Sequence, residues 1–108
     1  MHMTTAGAST DAASQDQLQA ATEVLRALAS PIRLGIVRQL INGGREVNEL
    51  VAALGVSQPL VSQHLRVLRT SRLVIGHRRA RAVEYSLADD HIAHIVSDAL
   101  EHVGERRP

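Results

Sequence analysis

Cysteine is absent from this 108-residue chain, which excludes disulfide scaffolds, Cys-type zinc fingers, thiol redox switches and cysteine nucleophiles. Aromatic residues are nearly absent too, Tyr85 being the single one. Base-stacking platforms and aromatic ligand cages need several rings and are excluded with them. No apolar run approaches the roughly 20 residues of a membrane span, and no signal-peptide pattern opens the chain. The expectation is a cytoplasmic protein with no membrane partner. Lysine is missing as well: all twelve basic side chains are Arg, whose planar fork suits bidentate recognition. What is present is globular in character, 44% hydrophobic and 21% charged, and the length suffices for one core.

The formal net charge of +1 conceals three segments of different sign. Residues 1–50 carry a net −1, residues 51–82 a net +6 and residues 83–108 a net −4. The middle block holds Arg66, Arg69, Arg72, Arg78, Arg79 and Arg81 and no acid at all. Such a block points to a polyanionic partner.

Residues 1–16 show no apolar period and read as a disordered N-terminal arm, leaving residues 17–106 as a single domain. Leu18, Ala21, Leu25 and Leu28 have helical spacing that stops near Ser30. Ser30-Pro31 reads as a cap followed by proline at the first helical position. Ile32, Ile36, Val37, Leu40 and Ile41 make the stripe of a second helix, ended by Asn42-Gly43-Gly44. Val47, Leu50, Val51 and Leu54 are the buried side of a third. Gly55 suits a left-handed C-terminal position and Ser57 the N-cap of a fourth helix, from Gln58 to about Ser71. Two β-type stretches, Leu73–His77 and Val83–Leu87, follow, joined by residues 78–82 with no turn signal that fixes the tip. The last helix starts at Asp89 or Asp90 and runs to about Val103, with Ile92, Ile95, Val96, Ala99, Leu100 and Val103 on one face. The expected fold is mainly α with one β-hairpin, in the order ααααββα.

A short helix, a Gly-containing turn and a longer helix form a helix-turn-helix. On the longer helix Leu60, Val61, Leu65 and Leu68 face inward. Gln58, Pro59, Ser62, Arg66 and Arg69 face outward, with Gln63 beside them. Gln matches adenine, Ser adapts, and Arg takes guanine or phosphate, as a recognition helix in a major groove requires. Together with Ser57 at its start, these residues are the candidate readers of double-stranded DNA. His64 falls on the apolar flank and reads equally as a packed core histidine or a DNA contact. The hairpin directly after this helix, tipped by Arg78, Arg79 and Arg81, is a wing placed to lie along phosphates or in a minor groove. The two together make a winged helix.

The last helix reads Asp89-Asp90-His91-Ile92-Ala93-His94 and, later, Glu101-His102-Val103-Gly104-Glu105. His91 and His102 are about three full turns apart, so they share a face but stand roughly 16 Å apart along the axis. With ligand bonds of about 2.0–2.2 Å, no single ion touches both. One helix therefore holds two half-sites, Asp89 with His91 and His102 with Glu105. His94, one turn from His91, is either an outer-shell group or simply exposed. Two such helices packed antiparallel about a two-fold axis bring each first half against the other's second half. Each of two symmetric sites then holds Asp, His, His and Glu, a set that suits tetrahedral Zn²⁺, with Co²⁺ and Ni²⁺ also open. The apolar stripe on the same helix gives it a reason to be a dimer interface. A two-fold homodimer also suits an inverted-repeat operator.

Residues 25–34 (Leu-Arg-Ala-Leu-Ala-Ser-Pro-Ile-Arg-Leu), Val61-Ser62-Gln63-His64-Leu65 with Leu68, and the Arg-rich hairpin ending Tyr85-Ser86-Leu87 resemble the ArsR/SmtB family of bacterial metal-responsive repressors. The resemblance spans roughly residues 18–105. The zinc-sensing branch of that family carries D-x-H-x10-H-x-x-E or H on its last helix. Asp89, His91, His102 and Glu105 fit it at every gap, which selects Asp89 over Asp90 where the helical wheel does not. The resemblance implies a homodimer joined through the first and last helices. It also implies operator binding when metal-free, and release of efflux or sequestration genes when metal binds. Thiol-using relatives place cysteines on the helix occupied here by Val47–Leu54, so arsenic, cadmium or lead sensing through thiolates is ruled out. Nickel-sensing relatives recruit an N-terminal histidine and a further last-helix histidine; the final ligand here is Glu105, so zinc is preferred. An enzyme is not expected, because four protein ligands close the coordination sphere and no small-molecule substrate has room.

Overall fold

The computed structural model describes residues 2–105, with side chains from Ser14 onward. Five helices and three short strands follow in the order α1 (His2–Leu28), α2 (Pro31–Leu40), β1 (Arg45–Glu46), α3 (Val47–Leu54), α4 (Gln58–Thr70), β2 (Val74–Arg79), β3 (Ala82–Leu87) and α5 (Asp90–Glu105). The expected winged helix-turn-helix is present, with two departures. A strand no sequence pattern announced, β1, pairs antiparallel with β3, giving a sheet ordered β1-β3-β2. Two residues are too few to show alternation, so only tertiary pairing reveals the strand. The second departure is at the N-terminus, where α1 begins at His2 rather than near Leu18. An apolar period does not detect a helix with no apolar stripe. Ala6, Ala8, Ala12 and Ala13 propagate one by propensity, and no proline precedes Pro31 to stop it.

The elements begin and end where local chemistry requires. Ser30, extended at φ −156°, accepts a hydrogen bond from the Arg33 backbone N–H at 3.2 Å, and Pro31 occupies the first turn, where its missing donor costs nothing. Gly55 closes α3 at φ +68°. Ser57 opens α4, its Oγ accepting from the Leu60 N–H at 3.4 Å.

One cluster forms the core. Ile36 and Val37 of α2, Leu50 of α3, Val61, Leu65 and Leu68 of α4 and Val96 of α5 are almost completely shielded. Leu73 and Val74 tie the sheet to it, and Ala27 and Leu28 the end of α1. α2 is central, packing against α1, α3, α4 and α5. The rest of α1 is different in kind: Leu18 and Leu25 remain 66% and 55% exposed.

Candidate nucleic-acid interface and the last helix

α3 and α4, joined by Gly55-Val56-Ser57, present the outward face of α4 to solvent. Ser57, Gln58, Pro59, Gln63 and Arg66 are exposed and Ser62 half-buried. Gln58 Nε2 donates to Ser62 Oγ at 2.9 Å, so two of the candidate readers hold one another one turn apart. His64 is half-buried. Its Nδ1 lies 3.0 Å from a terminal nitrogen of Arg33, which also donates from Nε to the Ala27 carbonyl. A guanidinium only donates, so Nδ1 is the acceptor and the ring proton sits on Nε2. His64 is thereby wired to the α1–α2 junction, a partner the wheel had no means of supplying.

The wing is tighter than the expected five-residue linker. Pairing continues through Arg79↔Ala82, leaving a turn at Ala80-Arg81 with Ala80 at φ +52°. Arg78 and Arg79 are thus strand residues on opposite faces of the ribbon, and Arg81 alone sits at the tip. All three are exposed. The acid-free stretch is not acid-free in space, because Arg79 lies 3.7 Å from Glu84 Oε1 on the neighbouring strand.

Between α4 and β2 runs an open groove of about 1250 Å³ whose lining includes Gln63, Arg66, Arg69, Arg72, Ile75 and Tyr85. Tyr85 pairs with Gly76 across the strands. A Cβ on Gly76 would stand 3.2 Å from the Tyr85 ring, so glycine leaves that face free for the aromatic. Arg69 in turn sits with its guanidinium carbon 6.0 Å from the ring centroid. Arg69 is on the outward face and Arg72 in the acid-free block by sequence, but neither the groove nor the Tyr85 contact is expected from the sequence. The single aromatic residue opposite a strand glycine was the available signal.

On α5, Ile92 and Val96 are buried against the body, whereas Ile95, Leu100 and Val103 of the same apolar set are 39%, 40% and 58% exposed. His91, His94, His102 and Glu105 are all exposed. Asp89 caps the helix: Oδ1 accepts from the N–H groups of His91 at 2.9 Å and Ile92 at 3.3 Å. Both bonds use one oxygen. His91 and His102 are three turns apart on the continuous helix, roughly 16 Å along its axis. Among the described residues no group of three or more His, Asp or Glu side chains comes together within one chain, and no helix is long and apolar enough to cross a membrane.

Comparison with known proteins adds independent findings. The sequence profile described as "Bacterial regulatory protein, arsR family" matches residues 30–75. The chain is similar to the HTH-type transcriptional repressor SmtB of Mycobacterium tuberculosis, 58% identical over 88 residues, which are 82% of this chain and 65% of that protein. The match therefore spans slightly less than two-thirds of that relative's length. The HTH-type transcriptional regulator NmtR of the same organism is 47% identical over 87 residues, covering 78% of this chain and 72% of NmtR. Among solved structures, Mb0332 from Mycobacterium bovis, described as a homodimeric winged helix-turn-helix DNA-binding domain, superposes with a TM-score of 0.76 at 26% identity, covering 87% of each chain.

Proposed function

We propose, because the chain belongs to the ArsR family of bacterial regulatory proteins, that it is a metal-responsive transcriptional repressor working in the cytoplasm. Residues 17–106 are the DNA-binding and metal-sensing unit. A homodimer joined through α1 and α5 binds an inverted-repeat operator when metal-free, one winged helix per half-site. Ser57, Gln58, Pro59, Ser62, Gln63, His64 and Arg66 meet the major groove, and Arg78, Arg79 and Arg81 the flanking backbone.

The observation that carries the metal reading is the division of α5. Carboxylate and imidazole donors lie at both ends, and exposed apolar side chains lie between them. The donors fit Zn²⁺ by chemistry, being oxygen and nitrogen without a thiolate; Co²⁺ and Ni²⁺ accept the same set. Asp89 fits because its capping bonds engage Oδ1 alone. The two half-sites are too far apart to serve one ion within a chain, so Asp89 and His91 of one protomer join His102 and Glu105 of the other. The exposed Ile95, Leu100 and Val103, with Leu18 and Leu25 of α1, are the apolar surface such a pairing buries. Bound metal supplies a cross-link between the two α5 helices. α2 packs on both α5 and α4, and its Arg33 grips His64, so the spacing of the recognition helices follows the α5 pair. The expected coupling is about 1–3 kcal/mol, equal in both directions.

The test is operator affinity at fixed salt with and without Zn²⁺, in wild type and His102→Ala. Zn²⁺ should weaken wild-type binding roughly 5- to 150-fold and leave the variant unmoved. Equal responses in the two proteins would end the metal reading while leaving DNA binding intact.

A further inference from the structure

α4 ends in a chain reversal that normally calls for glycine. The Arg72 N–H donates to the Arg69 carbonyl and the Leu73 N–H to the Leu68 carbonyl, each at 2.9 Å. This is the Schellman arrangement, with Leu68 and Leu73 both buried beneath it. Its left-handed position is held by Arg72 at φ +63°, where a Cβ crowds the backbone and glycine does not. The same solution is used without strain at the end of α3, where Gly55 adopts φ +68°.

Nothing in the fold requires a guanidinium at Arg72. The side chain is exposed, and among the described residues no carboxylate lies within ion-pair distance of Arg66, Arg69 or Arg72. Strain tolerated without a structural return is characteristic of a functional position. Arg66, Arg69 and Arg72 follow at three-residue intervals and line the same groove between α4 and β2, which has no acidic residue in its wall. Resting on the DNA-binding reading above, we infer that Arg69 and Arg72, continuing the row from Arg66 at the major groove, form a phosphate rail. Arg72 binds the DNA backbone where it passes between recognition helix and wing, and Arg69, braced on Tyr85, is the middle contact. The occupant is a polyanionic backbone rather than a base edge, because the groove runs alongside α4 and offers point charges in series. A backbone contact positions the protein without reading sequence.

Arg72→Gly separates function from fold. Thermal unfolding should show Tm unchanged or raised, because the left-handed position becomes strain-free. DNA binding should weaken by the same factor on operator and random duplex, and the slope of log K against log salt should shrink by about 1 per chain. Arg72→Lys, which keeps the charge, should retain the slope. A lower Tm in Arg72→Gly would overturn the inference, since the side chain would then be serving the fold; so would an unaltered salt slope. If Arg79→Ala lowers the slope and Arg72→Gly does not, the rail falls and the DNA-binding reading stands. A wild type without salt-dependent DNA binding removes both.

Discussion

The two working surfaces of this chain differ in completeness. The α3–α4 unit with its wing is finished within one protomer: caps, core contacts and outward side chains are all in place. α5 is built in halves. Its ends carry donors that do not meet within one chain, and its middle leaves Ile95 and Leu100 partly uncovered. The difference is one of physical scale. A recognition helix needs only its own 3.6-residue period to sort inward from outward residues. A four-ligand site needs donors within about 2.0–2.2 Å of one point, which a single straight helix does not provide across three turns.

The sharpest way to break that contrast is to make the halves complement each other. His91→Ala and His102→Ala homodimers should each lose tight Zn²⁺ binding, by upwards of about 100-fold, since even outer-shell losses reach that range. When the two variants are mixed and allowed to exchange subunits, the heterodimer regains one intact site. It pairs Asp89 and His91 from the second variant with His102 and Glu105 from the first. Calorimetry on the mixture should therefore recover tight binding of about one ion per heterodimer, with operator affinity of the metal-free proteins unchanged throughout. Failure to recover any tight site in an exchanged mixture would show that the donors do not work across subunits.

A smaller effect tests the other half of the contrast. Gln63 is exposed on α4 and has no hydrogen-bond partner among the described side chains, unlike Gln58, which is held by Ser62. Gln63→Ala should cost about 1–3 kcal/mol on operator relative to random DNA if it reads a base edge, with Zn²⁺ affinity untouched. Equal loss on both duplexes would move Gln63 from reader to backbone contact.

These surfaces were legible in the sequence to different depths. α2, α3 and α4 were bounded within a residue or so because Ser30, Pro31, Gly55 and Ser57 fix their ends by chemistry local to a few residues. The placement of His91 and His102 three turns apart on one helix was legible for the same reason, as a helical period. What escaped depends on residues far apart in sequence. β1 exists only through β3; Arg33 finds His64 across 31 positions; Arg69 finds Tyr85 only once the sheet is folded. The start of α1 escaped for the opposite reason, since propensity without amphipathicity leaves no period to detect.

Glu84 shows how far such a long-range arrangement reaches into function. By sequence it belongs to the acidic C-terminal segment, yet in the sheet it faces Glu46 on one side and His77 on the other, and its carboxylate lies 3.7 Å from Arg79. The Arg79 side chain is 73% exposed, and pairs that open to solvent contribute at most about 1 kcal/mol. Glu84 therefore restrains the wing arginine lightly. It also places a negative charge beside the wing surface proposed to meet a phosphate backbone, and directly opposite a like charge at Glu46, an arrangement that disfavours the pairing. Glu84→Gln keeps the shape of the side chain, which fills the space above Gly44. Both consequences of removing the charge point the same way. Tm should stay level or rise slightly, and affinity for any duplex should increase by up to about five-fold, the equivalent of about 1 kcal/mol, with a steeper salt dependence. Weaker DNA binding in Glu84→Gln would mean that the carboxylate positions Arg79 for its phosphate instead of competing with it.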